Sequence, residues 1–244
     1  MKRQLLLLFS FFIIIITAAF TVLKKQDGTE DLCISYQVDL KKQALKLYWK
    51  DEKGSIFKNF QHLKTWLGSK NENLVFAMNG GMYQADNTPL GLFIQDQKII
   101  TALNKRKGEG NFYLQPNGVF FITAANIPAI STTGKFVATG NIKYATQSGP
   151  MLLIDGQINT AFKQGSVNLN IRNGAGILPG NKVLFAMSKQ GVSLYDFADY
   201  FKKAGCKNAL YLDGFVSRTY LPEKNWIQTD GNFGVIIGVT EKLK

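Results

Sequence analysis

The chain has 244 residues, 45% of them hydrophobic and 19% charged, which excludes a disordered chain and allows a self-sufficient core. Two cysteines exclude a disulfide-framework fold, and with a single histidine they leave too few ligands for a structural zinc site. The net charge of +12 favours anionic partners such as phosphate-bearing substrates, anionic glycopolymers, lipid headgroups or nucleic acid, beside plain solubility.

Lys2 and Arg3 precede an apolar run over 5–23, and charge resumes at Lys24 and Lys25. A signal-peptide core takes roughly 7–15 apolar residues and a bilayer span roughly 20. The run is nearer the second, yet Thr17-Ala18-Ala19 offers a cleavage site. Segment 1–24 is therefore an apolar helix acting as an uncleaved signal anchor or a cleaved signal peptide. Either reading puts a polar linker (25–31) and the main domain (32–244) outside the cytoplasmic membrane, periplasmic or at the cell surface. The anchor, if kept, ties the chain to the membrane. In that oxidising space Cys33 and Cys206 either pair or remain two buried thiols.

Alternation predicts strands over 33–38 and 44–49, joined by a hairpin turn over 39–43. The period then changes: Ile56, Phe57, Phe60, Leu63 and Leu67 fit one helix face, with Ser55 as cap. A buried strand follows over 73–78. A hairpin over 90–94 and 98–103 turns at Asp96-Gln97. Short strands over 112–114 and 119–123 flank Pro116-Asn117-Gly118. Asp155-Gly156 and Pro179-Gly180-Asn181 mark two further hairpins, over 151–158 and 171–187. A second helix over 193–203 faces Leu194, Phe197, Ala198 and Phe201 inward and stops at Gly205. Buried strands over 208–212 and 234–239 close the chain. Most strands sit at hairpin spacing, so the fold class is α+β: one domain with a large mixed, mainly antiparallel sheet packed by a few helices.

Four stretches end strands with small and polar residues. Asn79-Gly80-Gly81 allows positive φ and close approach of backbone N–H groups to a ligand, or is a plain turn. Ser148-Gly149-Pro150 precedes an apolar strand, and Ser148 suits donation to a phosphate or sugar oxygen. With His62 alone on a helix, a Ser-His-Asp hydrolase is poorly supported. Arg172 opens a Gly-rich strand and suits bidentate phosphate recognition, or is a surface arginine. Asp213-Gly214 ends an apolar strand and is followed by Ser217 and Arg218, so Asp213 suits a general base or nucleophile. The Lys105-Arg106-Lys107 run reads as a solvated loop, and the extracytoplasmic placement argues against nucleic acid.

Together these stretches resemble the phosphodiester glycosidase family. The similar segments are 76–83 (FAMNGGMY), 89–92 (PLGL), 116–120 (PNGVF), 145–152 (ATQSGPML), 171–174 (IRNG) and 210–214 (LYLDG). They occur in the family's order across about 33–240. Phe215 and Val216 stand where many members carry small residues. The resemblance implies hydrolysis of a sugar-1-phosphodiester, on an envelope glycopolymer for instance. On that reading Asp213 is catalytic. Asn79, Gly80, Gly81, Asn117, Ser148, Gly149, Arg172, Gly214, Ser217 and Arg218 bind substrate. Asp86 and Glu109 are candidates for a second carboxylate. No organic cofactor or metal site is implied, with Ca²⁺ or Mg²⁺ on Asp and Asn oxygens left open. The alternative is a non-catalytic module that binds anionic envelope glycan.

Overall fold

The computed structural model describes residues 32–243; the expected signal segment and linker lie outside them. From Cys33 onward the chain forms one compact unit. Its strands are β1 (Cys33–Asp39), β2 (Ala44–Tyr48), β3 (Glu72–Asn79), β4 (Phe93–Gln95), β5 (Lys98–Thr101), β6 (Gly118–Thr123), β7 (Pro128–Thr132), β8 (Ile142–Ser148), β9 (Met151–Ile154), β10 (Gln157–Ile158), β11 (Asn173–Leu178), β12 (Lys182–Ser188), β13 (Ala209–Tyr211), β14 (Thr219–Leu221), β15 (Trp226–Ile227) and β16 (Ile236–Lys242). Two helices join them, α1 (Phe60–Ser69) and α2 (Leu194–Lys203).

The expected single large sheet is corrected to three antiparallel sheets. Their orders are β1-β12-β11-β13-β9-β10, β15-β14-β3-β16-β2 and β5-β4-β8-β6-β7. One apolar core serves all three: Tyr36 and Phe185 from the first sheet, Phe76 and Ile237 from the second, Phe93 and Phe120 from the third. Tyr36 stacks on Phe76 at 4.8 Å between ring centroids, which ties the first sheet to the second.

The turn over 39–43 forms, with Lys42 and Gln43 N–H donating to the Asp39 carbonyl. The strands it joins do not pair. β1 pairs with β12 and β2 with β16, so each becomes an edge of a different sheet. Val38, Leu40, Leu45 and Leu47 all enter the common core, and the chain must cross from one sheet to the next to put them there.

Helix α1 starts later than its apolar spacing predicts. Asn59, not Ser55, caps it, its side chain accepting the His62 N–H. Ile56 instead makes a β-bridge to Lys50. Phe60, Leu63 and Leu67 still face inward, against Leu74, Tyr220 and Ile236 of the second sheet. Residues 111–113 form a single 3₁₀ turn where a strand was expected, ahead of a cis Gln115–Pro116 bond. Helix α2 lies where its spacing predicts, and Ser193 caps it, its side chain accepting the Asp196 N–H. Its Phe197 and Phe201 rings lie over Gly174 and Gly176 of β11, where a Cβ would come within 3.2 and 2.6 Å.

Cys33 and Cys206 are free, buried thiols, and burial pushes both up to about 12. Cys33 is in register with Ser188, while Cys206 packs against Gly176, which is in register with Leu184. Four residues of strand, about 13 Å, separate those positions along β12. That spacing exceeds disulfide reach. Among the described residues no helix is long and apolar enough to cross a membrane.

Candidate active site

Strand ends from all three sheets converge at one place: the end of β3, the start of β11, the end of β13, the start of β14 and the end of β8. Asn173, the first residue of β11, is buried there and works as a hub. Its Nδ2 donates to the carbonyl and the side-chain Oδ1 of Asn79, at 3.0 and 2.9 Å. Its Oδ1 accepts the Asp213 backbone N–H at 2.7 Å. Asn79 Oδ1 also accepts the Arg218 N–H at 2.9 Å. Ser217 Oγ donates to the Asp213 carbonyl at 2.6 Å, closing the turn. A turn that ends a short strand is thus held from both sides by side chains distant in sequence.

The Asp213 carboxyl is half-buried. Burial pushes its pKa up to about 6, and the N–H groups of Phe215 and Gly214 pull the other way. It lines an open cleft of about 390 Å³ with Tyr83, Glu109, Asn111, Tyr113 and Phe215. Burial raises the Tyr83 hydroxyl, and the charge of Asp213 raises it further. Phe215 is 93% exposed at this cleft. Two roomier hollows, of about 420 and 500 Å³, lie around Lys46 and around Asn104, and no residue with a predicted role lines either.

Tyr211 is buried behind Asp213. Its hydroxyl accepts from Arg172 Nη1 at 3.3 Å, and the Asn111 side chain is near enough to pull its pKa down. Burial pushes it up to about 12, against the pull of the Arg172 charge. A Cβ on Gly214 would fall onto that hydroxyl, so only glycine fits there.

Ser148, Asn117, Gly149, Gly80 and Gly81 are committed within the fold around this arrangement. Ser148 is buried, and its Oγ donates to the Leu212 carbonyl, one residue before Asp213. Asn117 Nδ2 donates to the Phe112 carbonyl at 3.0 Å. A Cβ on Gly149 would sit 2.6 Å from the Asn117 Cβ, so these two residues pack face to face. Gly80 and Gly81 do not take positive φ. Close packing explains them: Val235 crowds Gly80, and a Cβ on Gly81 would lie 2.5 Å from the Gln147 carbonyl oxygen. The Gly80 N–H donates to the Val235 carbonyl at 2.8 Å, so it is committed within the fold.

Arg218 projects its guanidinium to Asp230, with Nε 3.1 and 3.0 Å from the two carboxylate oxygens and Nη2 3.0 Å from Oδ2. Arg172 is buried and donates to the Val192 carbonyl at 2.7 Å and the Asn168 carbonyl at 2.9 Å. Of the two further carboxylates, Glu109 lines the Asp213 cleft. Asp86 instead accepts the Thr88 N–H at 3.0 Å within its own turn. Among the described residues no three or more His, Cys, Asp or Glu side chains gather as a metal-ligand set.

Asn173, Tyr83, Asn111 and Tyr211 carry no role predicted from the sequence. Asn173 and Tyr83 stand inside segments 171–174 and 76–83, so their neighbourhood was marked and their side chains were not. Asn111 lies between the basic 105–107 run and the strand expected over 112–114, and no local pattern points to it.

The family model described as phosphodiester glycosidase matches residues 72–239, which include Asn79, Asn173 and Asp213. YigE, an uncharacterized protein of Escherichia coli K12, is 36% identical over 188 residues, 77% of this chain and 73% of its own length. The fold is similar to the zebrafish N-acetylglucosamine-1-phosphodiester alpha-N-acetylglucosaminidase catalytic domain auto-inhibited by its pro-peptide, with a TM-score of 0.59 and 14% identity over 88% of this chain and 85% of that one. It is also similar to a hypothetical protein from Synechocystis, with a TM-score of 0.53 and 13% identity over 85% of this chain and 59% of that one. The extent of the family match and the likeness to YigE place the chain: it belongs to the phosphodiester glycosidase family.

Proposed function

We propose that this protein hydrolyses a glycosyl-1-phosphodiester, breaking the sugar C1–O bond of an extracytoplasmic glycoconjugate or envelope polymer. The observation that carries this reading is Asp213, a half-buried carboxyl on the wall of an open cleft with its backbone locked by Asn173. Breaking C1–O expels a phosphate monoester, a good leaving group at neutral pH, so little general-acid help is needed. The demand falls instead on a group that meets the oxocarbenium-like carbon. With a pKa near 6, Asp213 is mostly ionised at pH 7. It serves as nucleophile or as base for water. As nucleophile its oxygen bonds C1 while the C1–O electron pair leaves with phosphate. Water then attacks C1, frees the carboxylate and leaves a hydroxyl on the sugar. Tyr83, Tyr113 and Phe215 give the sugar ring aromatic surfaces, and Glu109 is a second carboxylate on the same cleft. None of these steps calls on a cofactor. The apolar 5–23 run supports the extracytoplasmic placement, with attachment to the membrane where it is kept.

The test is release of free sugar from a panel of sugar-1-phosphodiesters by the full chain in detergent, with Asp213→Asn alongside. Release by the wild type that falls about 100-fold or more in the variant supports the reading. Tight binding of the panel with release by neither protein would make the chain a glycan-binding module.

A further inference from the structure

Two cavities meet at Leu90. It lines the Asp213 cleft, and it also lines the hollow of about 500 Å³ around Asn104. A substrate that extends beyond its sugar and phosphate has an open way past Leu90 into that hollow.

The charge of the hollow is one-sided. Lys105 and Arg106 line it, both exposed, and no acidic side chain does. Among the described residues no carboxylate pairs with either cation or with the adjoining Lys107. Elsewhere the chain does pair its surface cations: Lys70 with Glu52, and Arg218 with Asp230. Three successive cations repel one another, and a cleft lined by one sign of charge draws in the opposite sign.

The cations are also held in place. Their loop starts at Asn104, whose N–H donates to Gln147 Oε1 at 2.9 Å and whose carbonyl accepts from Gln147 Nε2 at 2.7 Å. Gln147 is buried in β8. Asn104 Nδ2 donates to the Leu90 carbonyl at 3.0 Å, which ties the loop to the residue both cavities share. On the other side Gly108 lies on the Tyr113 ring, where a Cβ would come within 2.8 Å, and Glu109 then lines the Asp213 cleft. The stretch 104–109 thus runs from one cavity to the other, anchored at both ends. A loop held this way loses little freedom when a ligand binds.

We propose that the hollow around Asn104 is a second anion subsite, in which Lys105 and Arg106 take a further anionic group on the aglycone, beyond the phosphate that bonds the sugar. This role rests on the glycosidase reading and narrows its substrate class. The scissile phosphate stays with the sugar in the Asp213 cleft, and the preferred aglycone is itself anionic, as in a polymer charged at every repeat. The subsite supplies binding and no chemistry, so it acts on KM.

The test uses the full chain in detergent and each sugar of the panel on three aglycones: propyl, carboxypropyl and phosphopropyl. The expected kcat/KM is about tenfold higher for a charged aglycone than for propyl, through KM. Lys105→Ala/Arg106→Ala brings the three together, leaves propyl turnover unchanged and keeps the melting temperature, since both side chains are exposed. Lys41→Ala/Lys42→Ala removes the same charge from the exposed turn that follows β1 and keeps the preference. Equal kcat/KM for all three aglycones in the wild type overturns the proposal. So does a preference that survives Lys105→Ala/Arg106→Ala or is lost with Lys41→Ala/Lys42→Ala. Preference for phosphopropyl alone assigns a phosphate-bearing chain, and preference for both charged aglycones assigns any anionic chain; either supports the subsite.

A second arm decides where no diester is turned over. Propyl phosphate and propanediol bisphosphate are the phosphate products that the propyl and phosphopropyl aglycones leave, and their binding is read from the broadening of their phosphorus NMR signals. The expected Kd of the bisphosphate is about tenfold lower in the wild type and equal to that of propyl phosphate in Lys105→Ala/Arg106→Ala. That result without sugar release keeps the subsite and removes the glycosidase reading. Sugar release without aglycone preference keeps the glycosidase reading and removes the subsite. Binding of neither product, with no sugar release, removes both.

Discussion

Asn173 holds Asp213 by its backbone: the Asn173 Oδ1 accepts the Asp213 N–H at 2.7 Å while its Nδ2 grips Asn79 from the neighbouring sheet. The carboxyl is aimed by a side chain forty positions away and not by its own strand. Asn173→Ala leaves the Asp213 N–H and the Asn79 oxygens without this partner, at about 1–3 kcal/mol for each buried group left unpaired. The expected outcome is a stability loss of about 2–4 kcal/mol in urea unfolding together with a kcat drop of tenfold or more. A stability loss with kcat unchanged would mean that Asn173 only welds the sheets.

How much of this was legible in the sequence depended on distance along the chain. The turns at Asp155-Gly156 and 179–181 and the helix over 193–203 are local features, and the structure has them where the residues predict. The partition into three sheets is not local. The 39–43 turn looks like a hairpin because its residues reverse the chain, yet β12 and β16, far downstream, decide what β1 and β2 pair with. Strands β14 and β15, of three and two residues, are too short for alternation to show. The site follows the same rule. Asp213 at a strand end was visible from its own neighbours, while the partners that commit Arg172 and Arg218 come from Val192 and Asp230.

The pH dependence of stability and of activity run in opposite directions. Burial raises Asp213 to about 6, above the roughly 3.9 of an unfolded aspartate. Between those values the folded chain keeps a proton the unfolded chain has lost. This group's contribution to stability is therefore largest at low pH, falls as pH rises towards 6 and is level above it. Asp213→Asn removes that dependence, so its melting temperature should exceed the wild type's at pH 7 and match it more closely near pH 4. Activity needs the ionised form, so kcat/KM should fall about tenfold per unit below pH 6. A pH–rate profile flat to pH 5 would contradict this.

Gly214 has no room for a methyl group because the Tyr211 hydroxyl occupies the position. Gly214→Ala should lower stability by about 1–3 kcal/mol through overpacking and displace the Asp213 carboxyl, cutting kcat. Adding Tyr211→Phe removes the clashing oxygen. The double variant should recover part of the lost stability, read from its denaturation midpoint.

Phe215 is nearly bare at the cleft, so its packing contributes little to the fold. Phe215→Ala should shift stability by less than about 0.5 kcal/mol. Losing an aromatic face worth about 1 kcal/mol to the sugar should raise KM several-fold with kcat nearly unchanged. A fall in kcat alone would place Phe215 elsewhere in the cycle.

The central claim is that this cleft breaks the bond between the sugar carbon and oxygen, with Asp213 as the group that meets the carbon. The most direct measurement is hydrolysis of a sugar-1-phosphodiester in water enriched in heavy oxygen, followed by mass spectrometry of both products. The account predicts label in the sugar and none in the phosphate monoester, with Asp213→Asn producing neither. Label in the phosphate would mean attack at phosphorus, and would contradict it.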